Sequence, residues 1–227
     1  MKKESLYKKI IKRLLDVVLC VIAIIVLAPV FAVTAIAIKI SSPGPVLYYS
    51  DRITQGNKSF HFYKFRSMHV TSADKGLFIA DEERLFAVGK VIRKLKIDEL
   101  PQLFNVIKGD MSIVGPRPMP KTSVNIMYGG KYKGVLDVKP GLTSAASLFD
   151  YTEGDKYTDD VLYQEEIVPI KQEMELYYVL NFSFKYDVEL ICRTIIIIAL
   201  TFIGKTDFKK SKEYFLIKEK NTRKDDT

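Results

Sequence analysis

The chain has 227 residues, room for one ordinary domain with a full core and a small appendage. Its formal charge of +8 sits mostly at the ends: residues 1–16 carry six cations against two acids, net +4, and residues 205–227 carry eight against five, net +3. Basic ends beside an apolar helix suit an anionic leaflet, where each Lys or Arg near the surface contributes roughly 1 kcal/mol. No basic stripe, finger or aromatic motif points to a nucleic-acid partner. Cys20 and Cys192 lie in apolar runs and suggest no disulfide framework, and the two histidines, His61 and His69, lack zinc spacing. GxSxG, Walker A and GxGxxG patterns are absent, which leaves carboxylates and arginines to carry the chemistry.

In chain order, Val17 to Ile38 is 22 residues without a charge, long enough to cross a bilayer as a helix. It is too long for a signal peptide and lacks a small-residue cleavage pattern. Pro29 near its middle removes one backbone donor and predicts a kink. A straight span and a bent helix that returns to its own side are both open on this evidence. Ser41-Ser42-Pro43-Gly44-Pro45 ends the helix. Val46 to Ser50 and Ser59 to Phe65 read as the two strands of a hairpin, from which Arg52, Lys64 and Arg66 can converge. Thr71 to Phe78 reads as a polar loop and Asp81 to Lys90 as a helix. Pro101 suits the first turn of a new helix running through Val106. Met111 to Val114 is β-like, Met127 to Lys133 and Asp150 to Asp160 read as loops, and Tyr163 to Val179 and Phe184 to Phe202 as helices. The run from Val188 to Ile203 is short for a span and suits an interfacial or core helix.

Two features of Gly89 to Pro118 stand out. Asp98 and Glu99 follow Arg93, Lys94 and Lys96 and precede Pro101, and Gly115-Pro116-Arg117-Pro118 places one arginine between two prolines that fix φ. Adjacent residues on a helix differ by about 100°, so spacing alone does not put both carboxylates on one face. The pair could bind a metal and a phosphate, with arginines as clamps, or simply cap the next helix.

The ordered blocks decide between these. Lys12-Arg13-x-x-Asp16, Ser42-Pro43-Gly44-Pro45-Val46, Arg52-x-x-x-Gly56 and Phe62-Tyr63-Lys64-Phe65-Arg66-Ser67-Met68 come first. Asp98-Glu99-Leu100-Pro101-Gln102-Leu103-x-Asn105-Val106, Lys108-Gly109-Asp110-Met111-Ser112-x-Val114-Gly115-Pro116-Arg117-Pro118 and Pro140-Gly141-x-Thr143 follow. Over residues 8–204 the chain resembles the bacterial sugar transferases, the monotopic polyprenyl-phosphate phosphoglycosyl transferases that start the assembly of exopolysaccharide, capsule, O-antigen or glycoprotein glycans. The resemblance implies an α+β monotopic membrane protein, with an N-terminal re-entrant helix kinked at Pro29 and a small mixed, mainly helical cytoplasmic body with a short β-hairpin. The expected division is 1–40 for the basic N-terminus and membrane helix, 41–204 for the catalytic domain with its C-terminal interfacial or core helix, and 205–227 for a basic polar tail. Since only Met1 to Leu15 precedes the apolar helix, the chain looks like the minimal form of the family.

The implied reaction moves a sugar 1-phosphate from a UDP-sugar to polyprenyl (undecaprenyl) phosphate and releases UMP, on the cytoplasmic face of the bacterial inner membrane. The implied catalytic dyad is Asp98 and Glu99, with Asp98 as nucleophile and Glu99 as a ligand of Mg²⁺. Arg66 and Arg117, then Arg93 and Lys94, are the expected phosphate-binding cations, and Pro116 and Pro118 the residues that lock their loop. Anionic inner-membrane lipid is a further expected partner, and an apolar helix surface could support a homodimer. This assignment requires Asp98 to be reachable from both the aqueous and the lipid side. The chain departs from a pattern common in the family, Pro-Gly-Ile-Thr-Gly-x-Ala-Gln, at Ser144 and Ser147, and carries Lys96 where Ser or Thr is common. A membrane-tethered scaffold and a basic binding module are the competing classes.

Overall fold

The computed structural model describes residues 7–69, 84–154, 160–205 and 207–225. It is mainly helical α+β, with one long apolar N-terminal helix, α1 (Lys12–Ser41), and two small sheets. Strands β1 (Leu47–Thr54) and β2 (Lys58–Phe65) form the expected hairpin, paired from Leu47 with Phe65 to Thr54 with Lys58. Helices α2 (Ala87–Lys94) and α3 (Gln102–Lys108) follow, then β3 (Ser112–Val114), α4 (Val124–Tyr128) and β4 (Gly141–Thr143). The chain ends in α5 (Ala145–Glu153), α6 (Val168–Asn181), α7 (Phe184–Phe202) and α8 (Lys212–Asp225).

Several boundaries differ from the sequence reading. Asp150 belongs to α5, which the hydroxyl of Ser144 caps by accepting from the Ser147 N–H at 3.0 Å. Gly130–Asp137 forms 3₁₀ turns where a loop was expected from Met127 to Lys133. The segment expected as a polar tail contains α8, because Ile217 packs with Phe149, Ile167 and Met174. Its buried Glu213 is bonded by Arg193 and the Tyr186 hydroxyl. The expected loop Thr71 to Phe78, and the start of the helix expected at Asp81 to Lys90, lie outside the described residues.

Among the described residues, α1 is the one helix long and apolar enough to cross a membrane, and its length and composition point to membrane association. Its helical pattern continues across Pro29. Both of its ends are held by the body. Near the start, Arg13 donates to the carbonyls of Val106 and Ile107, in the last turn of α3, at 2.5 and 2.7 Å. Asp16 is buried and accepts from the Ser112 hydroxyl (2.7 Å) and the Ile113 N–H (3.1 Å) on β3. Lys12 reaches the Val114 carbonyl at 2.9 Å and Asp187 of α7 at 2.6 Å. In the middle, Cys20 is enclosed by Phe60, Phe62, Leu103, Val106 and Met111. At the far end Ile38 is fully buried with Phe65, Phe86 and Ile92, and the Phe31 ring meets Phe65 and Phe104. The opposite face shows Leu14, Val18, Ile22, Ile25, Val33 and Ile36 to the surroundings.

Helix α7 is divided in the same way. Tyr186, Asp187 and Leu190 are buried, while Ile195, Ile196 and Phe202 in its second half are exposed. The second sheet pairs β3 and β4 in parallel, Ser112 with Gly141 and Val114 with Thr143. The backbones approach so closely that a Cβ on Gly141 would lie 2.1 Å from the Gly115 nitrogen. Gly141→Ala is therefore expected to cost at least about 2 kcal/mol of stability in thermal unfolding. Gly134→Ala, which meets only Asp137 Oδ2 at 3.9 Å, is expected to stay within about 0.5 kcal/mol.

Candidate active site

The acidic pair sits on a one-turn 3₁₀ segment, Ile97–Glu99, entered through Lys96 in the left-handed region (φ 56°). That conformation is uncommon for a residue with a Cβ and turns the chain sharply after α2. Ile97 and Leu100 pack into the apolar cluster around Ile38 and Phe65, and Pro101 opens α3 as expected. The two carboxylates are placed differently. Glu99 lines a cavity of about 1030 Å³, and Asp98 does not. Asp98 is 4% exposed and its Oδ1 has no hydrogen-bond partner. This departs from the accessible carboxylate that the sequence reading required.

Lys64 from β2 joins the pair, with its Nζ 3.0 Å from Glu99 Oε1 and 3.6 Å from Asp98 Oδ2. Arg117 Nη2 lies 3.8 Å from Glu99 Oε1. Burial alone would raise the Glu99 carboxyl, but Lys64, Arg117 and Lys96 together bring it down to about 2. For Asp98 burial is the larger effect and raises its proton affinity; Lys64 opposes the rise and Glu99 adds to it. Glu99 is thus fixed as an anion while Asp98 is held less firmly in that state.

The loop bearing Arg117 is fixed on all sides. Gly115 N–H donates to the Thr143 carbonyl (3.0 Å) and Gly141 N–H to the Pro116 carbonyl (2.8 Å). Pro116 and Pro118 are buried, with the half-exposed Arg117 between them. The Arg117 N–H donates to Glu175 Oε1 at 3.0 Å, and its carbonyl accepts from the Tyr128 hydroxyl at 2.8 Å. Glu175 is 1% exposed and also accepts from the Ser144 hydroxyl at 3.2 Å. Burial pushes its carboxyl up to about 7, against the pull of these two donors.

The other expected cations separate. Arg66 is buried and turned away from the cavity: Nε donates to the Pro45 carbonyl, Nη1 to the Ser42 hydroxyl and the Pro43 carbonyl, and Nη2 to the Ser42 carbonyl. Strand β2 ends at Phe65, so the alternation that puts Lys64 on the dyad side does not extend to Arg66. Arg66, expected as a phosphate clamp, here directs its donors to the exit loop of α1. Arg93 is near enough to lower the proton affinity of Asp98, but does not line the cavity; Lys94 is exposed and does not line it either. Lys64, one of the three hairpin cations expected to converge, and Lys96, the departure next to the dyad, stand beside the acids. Arg52 shares the Lys64 face of the hairpin, both lying over the Phe62 ring at 5.5 and 5.6 Å.

Leu19, Cys20 and Ala23 of α1 and Ile191, Ile195 and Ile198 of α7 give the cavity an apolar wall, while Lys96, Glu99 and Arg117 give it a charged one. Among the described residues no group of three or more Asp, Glu, His or Cys could cage a metal. Adjacent carboxylates with one unpartnered oxygen do fit a Mg²⁺ shared with substrate phosphates and water, as that ion usually binds.

These features define an α+β protein with one long apolar helix that points to membrane association, and a cavity with one charged and one apolar wall. The chain belongs to the bacterial sugar transferase family, whose model matches residues 7–201. It is 42% identical over 191 residues to the UDP-N-acetylgalactosamine-undecaprenyl-phosphate N-acetylgalactosaminephosphotransferase of Aeromonas hydrophila, covering 82% of this chain and 43% of that protein. It is 37% identical to the sugar transferase EpsL of Bacillus subtilis (82% and 86% covered). It is 35% identical to the UDP-glucose:undecaprenyl-phosphate glucose-1-phosphate transferase of Escherichia coli (82% and 40%). The chain thus spans less than half the length of the Aeromonas and Escherichia relatives.

Two outcomes follow from this geometry. Arg66→Met is expected to lower stability by roughly 3 kcal/mol in thermal unfolding, since it leaves buried acceptors unpaired. Donor affinity of the folded protein should change by less than about threefold. Glu175 has a raised folded-state pKa, so its contribution is complete below the unfolded value, 4.5, and is lost as pH rises to about 7. Thermal midpoints should fall over that window, and Glu175→Gln should flatten the fall.

Proposed function

We propose that this chain transfers a sugar 1-phosphate from a UDP-sugar to undecaprenyl phosphate, releasing UMP, as the first membrane step of glycan assembly. The observation that carries the reading is the joined cavity, with Lys96, Arg117 and the Glu99 carboxylate on one wall and the apolar faces of α1 and α7 on another. A water-soluble diphosphate and a lipid-borne phosphate can meet there without either leaving its phase. The named reactions of the Aeromonas and Escherichia relatives support the same assignment.

The monotopic placement, with α1 re-entrant and the body on the cytoplasmic face of the inner membrane, is supported by the grip at both helix ends. Thirty helical residues extend about 45 Å, more than the roughly 30 Å of hydrocarbon. A straight crossing would carry one end away from a body confined to one side. Here Asp16 and Ile38 are both buried against it. Basic residues ahead of α1 would meet anionic headgroups.

In the proposed chemistry, an Asp98 oxygen attacks the sugar-proximal phosphorus, a new P–O bond forms, and the phosphoanhydride bond breaks with its electron pair leaving on UMP. A lipid phosphate oxygen then attacks the same phosphorus, breaks the acyl-phosphate bond and restores the carboxylate. Lys64 and Arg117 stabilise the charge on the phosphoryl oxygens. Glu99 and the unpartnered Asp98 oxygen would hold Mg²⁺, which supplies neutralising charge to the diphosphate when bound. Attack requires the Asp98 carboxylate to turn from its buried position. Its unbonded Oδ1 and the long 3.6 Å contact of Oδ2 with Lys64 offer little resistance to that rotation.

A second reading has its own support: Glu99, ionised and on the cavity wall, carries the phosphosugar, and Asp98 orients it. Incubation with UDP-sugar and no lipid, followed by mass mapping of the modified peptide, separates the two. We expect the added sugar phosphate on Asp98 and a loss of UMP release of at least about a thousandfold in Asp98→Asn. An adduct on Glu99 would establish the second reading, and full activity in Asp98→Asn would defeat the first.

A further inference from the structure

We propose that the cavity wall formed by α5 and Tyr163 is the subsite for the sugar of the nucleotide donor, recognised by Asp150, Tyr163 and Lys171 with Ser147. This rests on the transfer reading and deepens it. The Tyr163 hydroxyl donates to Asp150 Oδ1 at 2.5 Å, Lys171 Nζ donates to the Tyr163 hydroxyl at 2.7 Å, and Nζ lies 2.9 Å from Asp150 Oδ2. The three close a ring in which each group helps to hold the other two. The Lys171 side chain is 11% exposed and Asp150 28%, so the ring is largely shielded from water yet borders the cavity through Asp150 and Tyr163. Ser147 stands three residues before Asp150 on α5, on the same face and the same cavity wall.

The chemistry of this wall differs from that around Glu99. A phosphate is drawn to Arg117, Lys64 and Lys96 and repelled by the Asp150 carboxylate. Sugar hydroxyls both donate and accept, which matches a carboxylate, a phenol and an ammonium set within one ring of contacts. Tyr151, on the same wall with Lys96 4.8 Å above its ring, adds an apolar face of the kind against which sugar C–H groups pack. The two departures noted in the sequence now separate. Ser144 is buried and occupied with the α5 cap and Glu175, while Ser147, whose hydroxyl it also meets at 3.1 Å, lines the space the donor would fill. Only the second bears on sugar choice.

The test uses the full chain in lipid nanodiscs. Calorimetry gives the dissociation constants of UDP-sugars that differ at C2 (acetamido or hydroxyl) or in C4 configuration, and of UMP alone. In Tyr163→Phe and Asp150→Asn the best-bound UDP-sugar is expected to weaken about tenfold or more, with the ratio between C4 epimers moving in step. UMP affinity is expected to stay within about twofold. Equal loss for UMP and donor would assign the ring to the nucleotide and overturn the proposal. So would unchanged ratios in folded variants, or no UDP-sugar binding by the unmodified protein. Tyr163→Phe keeps the ring system and the Asp150–Lys171 pair, so it reports even where Asp150→Asn fails to fold. UMP release is measured in parallel: discriminating binding without release would defeat the transfer reading and leave the subsite standing.

Discussion

The bond between Asp16 and β3 is the constraint from which the rest of the site follows. A buried carboxylate on the apolar helix is tolerable only because the Ser112 hydroxyl and the Ile113 N–H both donate to it. Those donors belong to the strand that leads directly into Gly115-Pro116-Arg117-Pro118. One ion on α1 thus sets the position of the strand, and the strand sets the start of the arginine loop. Arg13 extends the grip to α3, the helix that begins three residues after the acidic pair. The long apolar helix, the acidic pair and the arginine loop are therefore positioned by the same few hydrogen bonds.

Charge is distributed so that neighbouring acids behave differently. Glu99 has cations on two sides and remains ionised at any physiological pH, whereas Asp98, one residue earlier, lies behind it with an unsatisfied oxygen. A buried, unpartnered carboxylate oxygen is costly and has to be offset by other interactions. Here Lys64, Lys96 and Arg93 provide the compensating field without bonding to that oxygen. A cation that reached this oxygen would relieve the penalty, whereas a phosphate, an anion without donors, would not. Glu175 plays the opposite part. It is buried and bonded on one oxygen only, and it fixes the backbone of Arg117 from below without entering the cavity.

Much of this was legible in the amino-acid order, and the failures share a cause. Strong local signals worked: the uncharged run of α1, the hairpin alternation, Pro101 at a helix start, and the long apolar helix α7. The ordered blocks drew attention to the acidic pair and the arginine loop, which the structure brings together, yet gave no means of seeing which cations are bonded elsewhere. Arg66 and Lys64 lie two residues apart in one block, and the distinction between them depends on β2 ending at Phe65. Lys12-Arg13-x-x-Asp16 resembled a charged flank of a membrane helix and is a set of tertiary hydrogen bonds. The α5 helix was missed because Asp, Tyr, Thr, Glu and Gly dominate its end, a composition that reads as a loop until the Ser144 cap and the packing of Phe149 are seen. The pairing of β3 with β4 was hidden by the residues between them, since three-residue strands carry almost no pattern of their own.

The exposure of α7 extends the same logic to the membrane. Its buried first half is tied to α1 through Asp187 and Lys12, and its exposed second half lines the apolar wall that α1 begins. An isolated apolar helix could sit at many depths in a bilayer, but two helices joined by an ion pair at one end present a single apolar face with a defined tilt to the body. That face and the charged wall meet inside one cavity, so the depth at which the helices settle also sets the depth of Glu99 and Arg117. A change that loosens the Lys12–Asp187 pair therefore shifts this apolar face relative to Glu99 and Arg117 without touching either.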